Sequence, residues 1–319
     1  MANSIIVTGG AGFIGSNLVA ELNRRGEDNI LIVDDLAQTE KWKNLVGLSF
    51  ADYIDKDSFR TLIEKGGLEL TNAVFHMGAC SSTTEPNASY LMDNNYRYTR
   101  ELCTWCLEKN IRFIYASSAA TYGDGSLGYS DADERTPHLE PLNMYGYSKH
   151  LFDVWAIKQR LHNQIVGLKY FNVFGPCEDH KEDMRSVVHK AYGQILDSGE
   201  VHLFKSYKPE YKDGEQVRDF IYVKDAVDVT LYFYEHPDES GLFNCGTGQA
   251  RTWVDLVRGV FSAMDRTPNI RFMDMPRSLK GKYQYHTEAE ISKLRQAGYQ
   301  KEFTRLEEGI RDYVQSSLT

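Results

Sequence analysis

Tyr145 and Lys149 stand four residues apart in the run Tyr-Gly-Tyr-Ser-Lys, and Leu151, Phe152 and Trp155 follow as an apolar stripe. Residues four apart share one face of a helix, so a phenol and an ammonium project together. Positive charge beside a phenol favours its anion, and that anion is a general base usable near neutral pH. Upstream lies Ala116-Ser117-Ser118-Ala119-Ala120-Thr121-Tyr122-Gly123. Ser118 follows a strand-like apolar run, and a parallel strand aims a hydroxyl at its carboxyl end into the ligand crevice. Such a trio can hydrogen-bond an alcohol and take its proton. An isolated Tyr-x-x-x-Lys would read as an exposed helix pair, but here a glycine turn and this Ser-rich strand end precede it in the right order.

The glycine turn is the second chemical signal: Thr8-Gly9-Gly10-Ala11-Gly12-Phe13-Ile14-Gly15, directly after the first strand-like run. Gly10, Gly12 and Gly15 fit G-x-G-x-x-G, and Gly9, Gly12 and Gly15 fit a slightly wider spacing. One glycine makes the tight bend, one admits backbone to a diphosphate, and one lets helix pack on strand. The diphosphate then meets free N–H groups at the positive end of a helix dipole. Asp34 ends the next strand at about the 20-residue spacing of a ribose-binding acid. Asp34 by itself favours NAD, whereas Lys41, Lys43 and Lys56 are near enough in sequence to meet the extra phosphate of NADP. The residues leave that choice open.

These groups need elements to hold them. Strand-like runs at Ile5–Val7, Ile30–Val33, Ala73–Phe75, Phe113–Ala116 and Ile165–Leu168 alternate with helical patterns at Phe13–Arg25, Lys56–Glu64, Tyr90–Glu108 and Tyr147–Leu161. Strands separated by helices imply a parallel sheet covered on both faces. The predicted class is α/β: a Rossmann-type doubly wound parallel sheet with a smaller mixed α/β substrate lobe. After Pro176 a polar stretch leads to a helix near Val187–Leu196, Lys205–Gln216 reads as a loop, and Phe220–Val223 resumes a strand before a helix at Ala226–Tyr234. The expected division places residues 1–172 plus 217–240 in the dinucleotide-binding domain and 173–216 plus 241–319 in the substrate lobe.

Composition narrows the class. A formal charge of −9 argues against a broad nucleic-acid footprint. No apolar run approaches the roughly 18 residues of a membrane span, and with a strand beginning near residue 4 no secretory signal is expected. Five cysteines fit reduced cytoplasmic thiols. Cys103 and Cys106 have the spacing of a metal pair, but they fall in a helical pattern and are expected to be buried thiols, with no metal site.

The glycine turn, Ser118, Tyr145, Lys149, the run Tyr170-Phe171-Asn172-Val173-Phe174-Gly175-Pro176, the run Arg218 to Asp225, and Asn244-Cys245-Gly246-Thr247-Gly248 together resemble the extended short-chain dehydrogenase/reductase family. The resemblance runs in order over nearly the whole chain. More particular segments are Gly78 to Glu85, Met92-Asp93-Asn94-Asn95-Tyr96, Tyr115 to Gly123, His180-Lys181 and Lys280-Gly281-Lys282-Tyr283-Gln284. They resemble the branch of that family that inverts C6″ of an ADP-heptose nucleotide sugar. The resemblance implies NADP as the tightly held cofactor, with NAD possible, and a cytoplasmic homo-oligomer, a pentamer. It also implies transient oxidation at C6″ to a ketone, with Tyr145 and Lys181 as the two proton-handling groups.

Carried over by position, Phe13, Ile14, Asp34, Asp35, Lys41, Lys56, Met77, Gly78, Ala79, Cys80, Ser81, Asn94 and Val173 meet the cofactor, together with Tyr145, Lys149 and Lys181. Ser118, Asn172, Asp183, Lys190, Phe204, Lys205, Ser206, Tyr207, Arg218 and Tyr283 match substrate contacts, with Arg218 suited to the diphosphate. Asp35, Met77, Asp183 and Lys190 depart from the residues common in that branch, and Tyr207–Gln216 is longer than usual. Ala119-Ala120 stands where dehydratases of the family carry an acid pair. The readings left beside C6″ epimerisation are a UDP-sugar 4-epimerase of the same family and a catalytically silent dinucleotide-sensing protein.

Overall fold

The structure is a computed structural model that describes residues 4–66, 68, 71–276 and 283–318. Lys280, Gly281 and Lys282 lie outside the described residues. Seven strands form the main sheet: β1 (Ser4–Thr8), β2 (Ile30–Asp34), β3 (Asp52–Asp55), β4 (Thr71–His76), β5 (Arg112–Ser118), β6 (Val166–Tyr170) and β10 (Gly241–Cys245). Their order is β10-β6-β5-β4-β1-β2-β3, and every pairing is parallel. The apolar runs are short and nearly continuous because such strands are buried on both faces. The order reverses between β1 and β4, the place where folds of this kind hold ligands.

Helices α1 (Phe13–Arg24), α2 (Lys56–Glu64), α3 (Ala88–Leu91), α4 (Tyr98–Glu108), α5 (Met144–Lys158) and α7 (Val223–Glu235) serve as crossovers and cover the sheet. One core cluster lies between the sheet and α1 and α7, and a second, with Phe59, Leu102, Phe113 and Phe152, lies on the other face. Cys103 and Cys106 are buried in that second cluster; burial pushes the Cys103 thiol up to about 12 and raises Cys106 as well.

Two expectations change. The boundary after residue 240 would sever β10, yet β10 pairs along β6 and extends the main sheet. The strand at Val217–Tyr222, β9, leaves the main sheet and joins β7 (Asn172–Phe174) and β11 (Ala250–Thr252) in a three-stranded sheet. Both follow from pairing partners that lie far away in the chain, which local pattern does not carry. The strand β3 carries no apolar run, because its four residues, Asp-Tyr-Ile-Asp, are half charged and form an exposed edge. The second lobe also holds α6 (Val187–Ser198), α8 (Trp253–Ala263), α9 (Ser292–Gln296), α10 (Leu306–Tyr313) and the parallel pair β8 (Val201–Phe204) and β12 (Ile270–Met273).

Behind the end of β5 sits a fully buried polar cluster. The Asp153 carboxylate on α5 accepts from Tyr115 Oη at 2.8 Å and Ser117 Oγ at 2.7 Å, and lies 3.6 Å from the buried Lys169 ammonium of β6. It ties one helix to two strands. Replacing Asp153 by Ala strands a buried ammonium and two hydroxyls, so urea denaturation should show a loss of about 3–5 kcal/mol.

Candidate active site

A cleft of about 610 Å³ opens over the carboxyl ends of β1, β4, β5 and β6. Beyond β1 the chain turns at Gly9, whose φ is +68°, and a Cβ there would lie 2.5 Å from Gly78 N. A Cβ on Gly15 would lie 2.0 Å from Gly9 O. Only glycine lets strand, turn and helix close this tightly. Gly10 packs against Ile32, beneath the cleft. Gly12 is the N-cap of α1; no side chain caps that end and no acid stands in its first turn. Gly9, Gly12, Phe13, Ile14 and Gly15 line the cleft, which gives an open helix N-terminus suited to a diphosphate.

Asp34 sits 6% exposed at the end of β2 with its carboxylate already engaged. Oδ2 accepts from Ala11 N at 2.9 Å, while Oδ1 accepts from Lys41 Nζ at 2.7 Å and Asp35 N at 2.8 Å. A smaller adjoining cavity of about 100 Å³ is lined by Asp34, Asp35, Lys41, Lys56 and Asn94. There Lys56 Nζ donates to Asn94 Oδ1 at 2.9 Å. Lys43 pairs with Glu40 on the surface and lines neither cavity. Met77, Gly78, Ala79, Cys80 and Ser81 form another wall of the main cleft. Asn95, passed over as a site residue, holds that wall: its side chain accepts from Cys80 N at 2.9 Å and donates to Cys80 O at 3.0 Å and Ser148 Oγ at 3.1 Å. It sits in a π-helical turn at Met92–Arg97, a departure that lengthens the helix by one residue and often marks a site. These residues fit a dinucleotide with its diphosphate at α1 and its adenosine end at Lys41 and Lys56.

Ser118, Tyr145 and Lys149 all line the main cleft. Asn143 caps α5 by accepting from Gly146 N at 2.8 Å, which fixes the first turn that carries Tyr145. Lys149 Nζ donates to Ala116 O at 2.9 Å. Burial pushes the ammonium down to about 8, opposed by the Asp153 carboxylate one turn along. In the protein alone burial pushes the Tyr145 phenol up, against the pull of the Ser118 hydroxyl. The Lys149 ammonium is spent on a backbone carbonyl, so in the protein alone desolvation of the phenol outweighs charge stabilisation.

Lys181 reaches the same cleft from a different element, the 3-10 segment Asp179–Met184. Its ammonium lies over the Phe13 ring at 4.9 Å from the centroid. Burial lowers it, the Glu178 carboxylate opposes that, and Lys190 adds to it. Next to it, burial first and then Lys41 and Lys181 push His180 down to about 4, so that imidazole is neutral. Asn44 Nδ2 ties the segment to the glycine turn, donating to Ala11 O at 2.9 Å and Cys177 O at 3.2 Å and meeting His180 Nδ1 at 3.2 Å.

Residues 5–246 match the family described as NAD dependent epimerase/dehydratase. The chain belongs to that family. An ADP-L-glycero-D-manno-heptose-6-epimerase of Nitratidesulfovibrio vulgaris (strain DP4) is 56% identical over 314 residues, covering 98% of this chain and 97% of the relative. One from Fusobacterium nucleatum is 51% identical over 324 residues, with 98% of each chain covered. Among solved structures, the Helicobacter pylori ADP-L-glycero-D-manno-heptose-6-epimerase superposes with a TM-score of 0.82 at 28% identity, covering 98% of this chain and 95% of that one. A UDP-N-acetylglucosamine 4-epimerase from Methanobrevibacter ruminantium M1, in complex with UDP-N-acetylmuramic acid, gives 0.83 at 26% identity, covering 99% and 98%.

Within this epimerase/dehydratase the expected substrate contacts divide. Asn172 lines the cleft, as does Val173, which was expected at the cofactor. Asp183 and Lys190 are exposed and meet each other, Lys190 Nζ donating to Asp183 O at 2.6 Å. Phe204, Lys205, Ser206 and Tyr207 lie outside the cleft walls; Lys205 Nζ is 3.4 Å from Asp274, and Tyr207 Oη donates to Asp274 at 2.9 Å. Arg218 is buried between the rings of Trp253 and Tyr283, at 5.5 and 5.1 Å, and donates to Val217 O and Gln284 O. It stands one layer behind the wall, which Phe220, Trp253 and Leu256 form instead. Trp253 was legible in principle: Thr252 and Asp255 make a capping box that opens α8.

The Lys149 value yields a test on the protein alone. Its folded value of about 8 lies below the ordinary 10.5, so between those pH values the unfolded chain binds more protons. The cost of burying the charge is fully present below pH 8 and is relieved as pH rises toward 10.5. Denaturation of the wild type and Lys149→Met from pH 7 to 10 should show the wild type gaining about 2 kcal/mol relative to the variant.

Proposed function

We propose that this protein is an ADP-L-glycero-D-manno-heptose 6-epimerase, inverting C6″ of ADP-D-glycero-D-manno-heptose with a bound NADP. The observation that carries this reading is the presence in one cleft of two proton-handling groups on separate elements, Tyr145 on α5 and Lys181 on the segment before α6. A carbinol C–H is not acidic, so inversion requires oxidation to a ketone and reduction on the other face. The nicotinamide, when bound, accepts and returns the hydride. Ser118 holds the reacting oxygen, and Tyr145 removes or restores its proton in one orientation of the exocyclic group. Lys181 serves the other orientation. Lys149 supplies positive charge beside the phenol, and the wall of Met77 to Ser81 limits water.

For the cofactor, the state of Asp34 supports NADP. Its oxygens are taken by Ala11 N–H and the Lys41 ammonium, leaving a cationic rather than an acidic face toward the adenosine ribose, with Lys56 on the same small cavity. We also read the main sheet with its helices as the dinucleotide-binding part, and residues 173–216 with the chain beyond β10 as the part that receives the sugar nucleotide. Among the described residues no helix is long and apolar enough to cross a membrane. A cytoplasmic homo-oligomer, a pentamer, belongs to the same reading.

Purified protein should invert C6″ of ADP-D-glycero-D-manno-heptose, followed by NMR of the product, and leave UDP-galactose unchanged. Turnover of only the UDP sugar would make it a 4-epimerase, and no turnover of either, with cofactor bound, a dinucleotide sensor. Tyr145→Phe should retain cofactor and lose roughly 10²–10⁴-fold in kcat. Mass spectrometry of the cofactor released on denaturation should find NADP, and Lys41→Met should weaken NADP binding by about ten- to a hundredfold.

A further inference from the structure

We propose that Glu178 is a positioning residue that holds Lys181 in the cleft, by closing residues 178–186 into a clasp against the start of α6 and against α10. The proposal rests on Lys181 being the second proton-handling group. Glu178 is a carboxylate with 0% exposure, in a segment whose other residues are half-buried or exposed. Its oxygens receive three donors. Oε2 accepts from Ser186 N at 2.6 Å; Oε1 accepts from Ser186 Oγ at 2.5 Å and from Tyr313 Oη, in α10, at 3.1 Å. Ser186 is itself the N-cap of α6, so the negative charge lies at the positive end of that helix.

A chain of nine residues is thus tied at both ends, and strain is visible within it and just before it. Glu182, the residue after Lys181, has φ 47° and ψ −120°, and Cys177, before Glu178, has φ 73°. Non-glycine residues hold such conformations only where the surroundings over-determine them. A second tie, His189 Nε2 to Asp179 Oδ1 at 2.8 Å, joins the same segment to α6. The outcome is a lysine whose ammonium meets no hydrogen-bond acceptor among the described residues and rests on the Phe13 ring of α1. An ammonium left on a solvated loop would sample many rotamers; here the backbone beneath it is tied to α6 and α10.

The charges that act on Lys181 are few. From its own segment comes the Glu178 carboxylate, which favours the ammonium; from α6 comes Lys190, which disfavours it. His180, alongside, is neutral, and α1 presents an aromatic face. Glu178 therefore acts twice, on the place of the ammonium and on its charge.

The test compares holoenzymes carrying Glu178→Gln and Lys181→Met with the wild type, using ADP-D-glycero-D-manno-heptose. Glu178→Gln should lower kcat by about tenfold or more at little-changed KM. It should also move the basic limb of the pH profile down by roughly half a unit or more, because removing a nearby negative charge makes Lys181 lose its proton more easily. Amide exchange at residues 178–186 should rise at an unchanged melting temperature. A Glu178→Gln enzyme with wild-type kcat, pH profile and exchange, beside an inactive Lys181→Met, overturns the proposal and leaves the role of Lys181 standing. Full activity in Lys181→Met overturns that role and the proposal with it. Should Glu178→Gln not fold, Ser186→Ala combined with Tyr313→Phe removes two donors and keeps the carboxylate. That variant should lose several-fold in kcat with the basic limb in place, and unaltered kcat there overturns the proposal.

Discussion

The buried Lys149 ammonium joins α5, the helix that carries Tyr145, to the sheet. Lys149 Nζ donates to the Ala116 carbonyl at 2.9 Å, from one turn below Tyr145 and from beside the strand that carries Ser118. Desolvating an ammonium is costly, and one carbonyl does not offset it, which is why the group is driven down to about 8. Asp153, one further turn along, supplies the opposing charge and anchors Tyr115 and Ser117 of the same strand. The helix register is thereby locked: rotating or sliding α5 would break a charged hydrogen bond and unpair a buried carboxylate. The position of the phenol over the strand end follows from that lock.

The rest of the cleft is arranged around a surplus of positive charge in a chain whose net charge is −9. Lys41, Lys149 and Lys181 line the main cleft and Lys56 the small cavity beside it. The open end of α1 adds to the same field. Such a field suits a ligand that carries phosphates. Burial raises the phenol when the protein is alone, so positive charge bound beside it would favour the phenolate.

The shape of the molecule does not separate the readings. ADP-heptose and UDP-sugar epimerases superpose on it almost equally well, at TM-scores of 0.82 and 0.83. What distinguishes them lies in the site, as expected where one fold serves many substrates. In the proposed reading that feature is the short segment that carries Lys181 into the cleft.

What could be read from the chain alone was local. The glycine turn, the Tyr-x-x-x-Lys spacing and the alternation of apolar runs each depend on neighbours within a few residues; the alternation sufficed for the parallel sheet, and the two motifs named residues that line the main cleft. Asn95 and Glu178 escaped because a polar residue in a polar stretch gives no sign that it will be buried. Their burial comes from Cys80, Ser148, Ser186 and Tyr313, brought in by packing. Arg218, Lys205 and Tyr207 matched a motif, yet side-chain packing set them behind or outside the wall and put Trp253 in front. β10 and β9 changed sheets because pairing is decided by which edges are open once the chain has folded. Sequence determined which chemistry the chain carries; tertiary structure decided which side chains reach it, because burial and charge depend on neighbours that spacing along the chain does not encode.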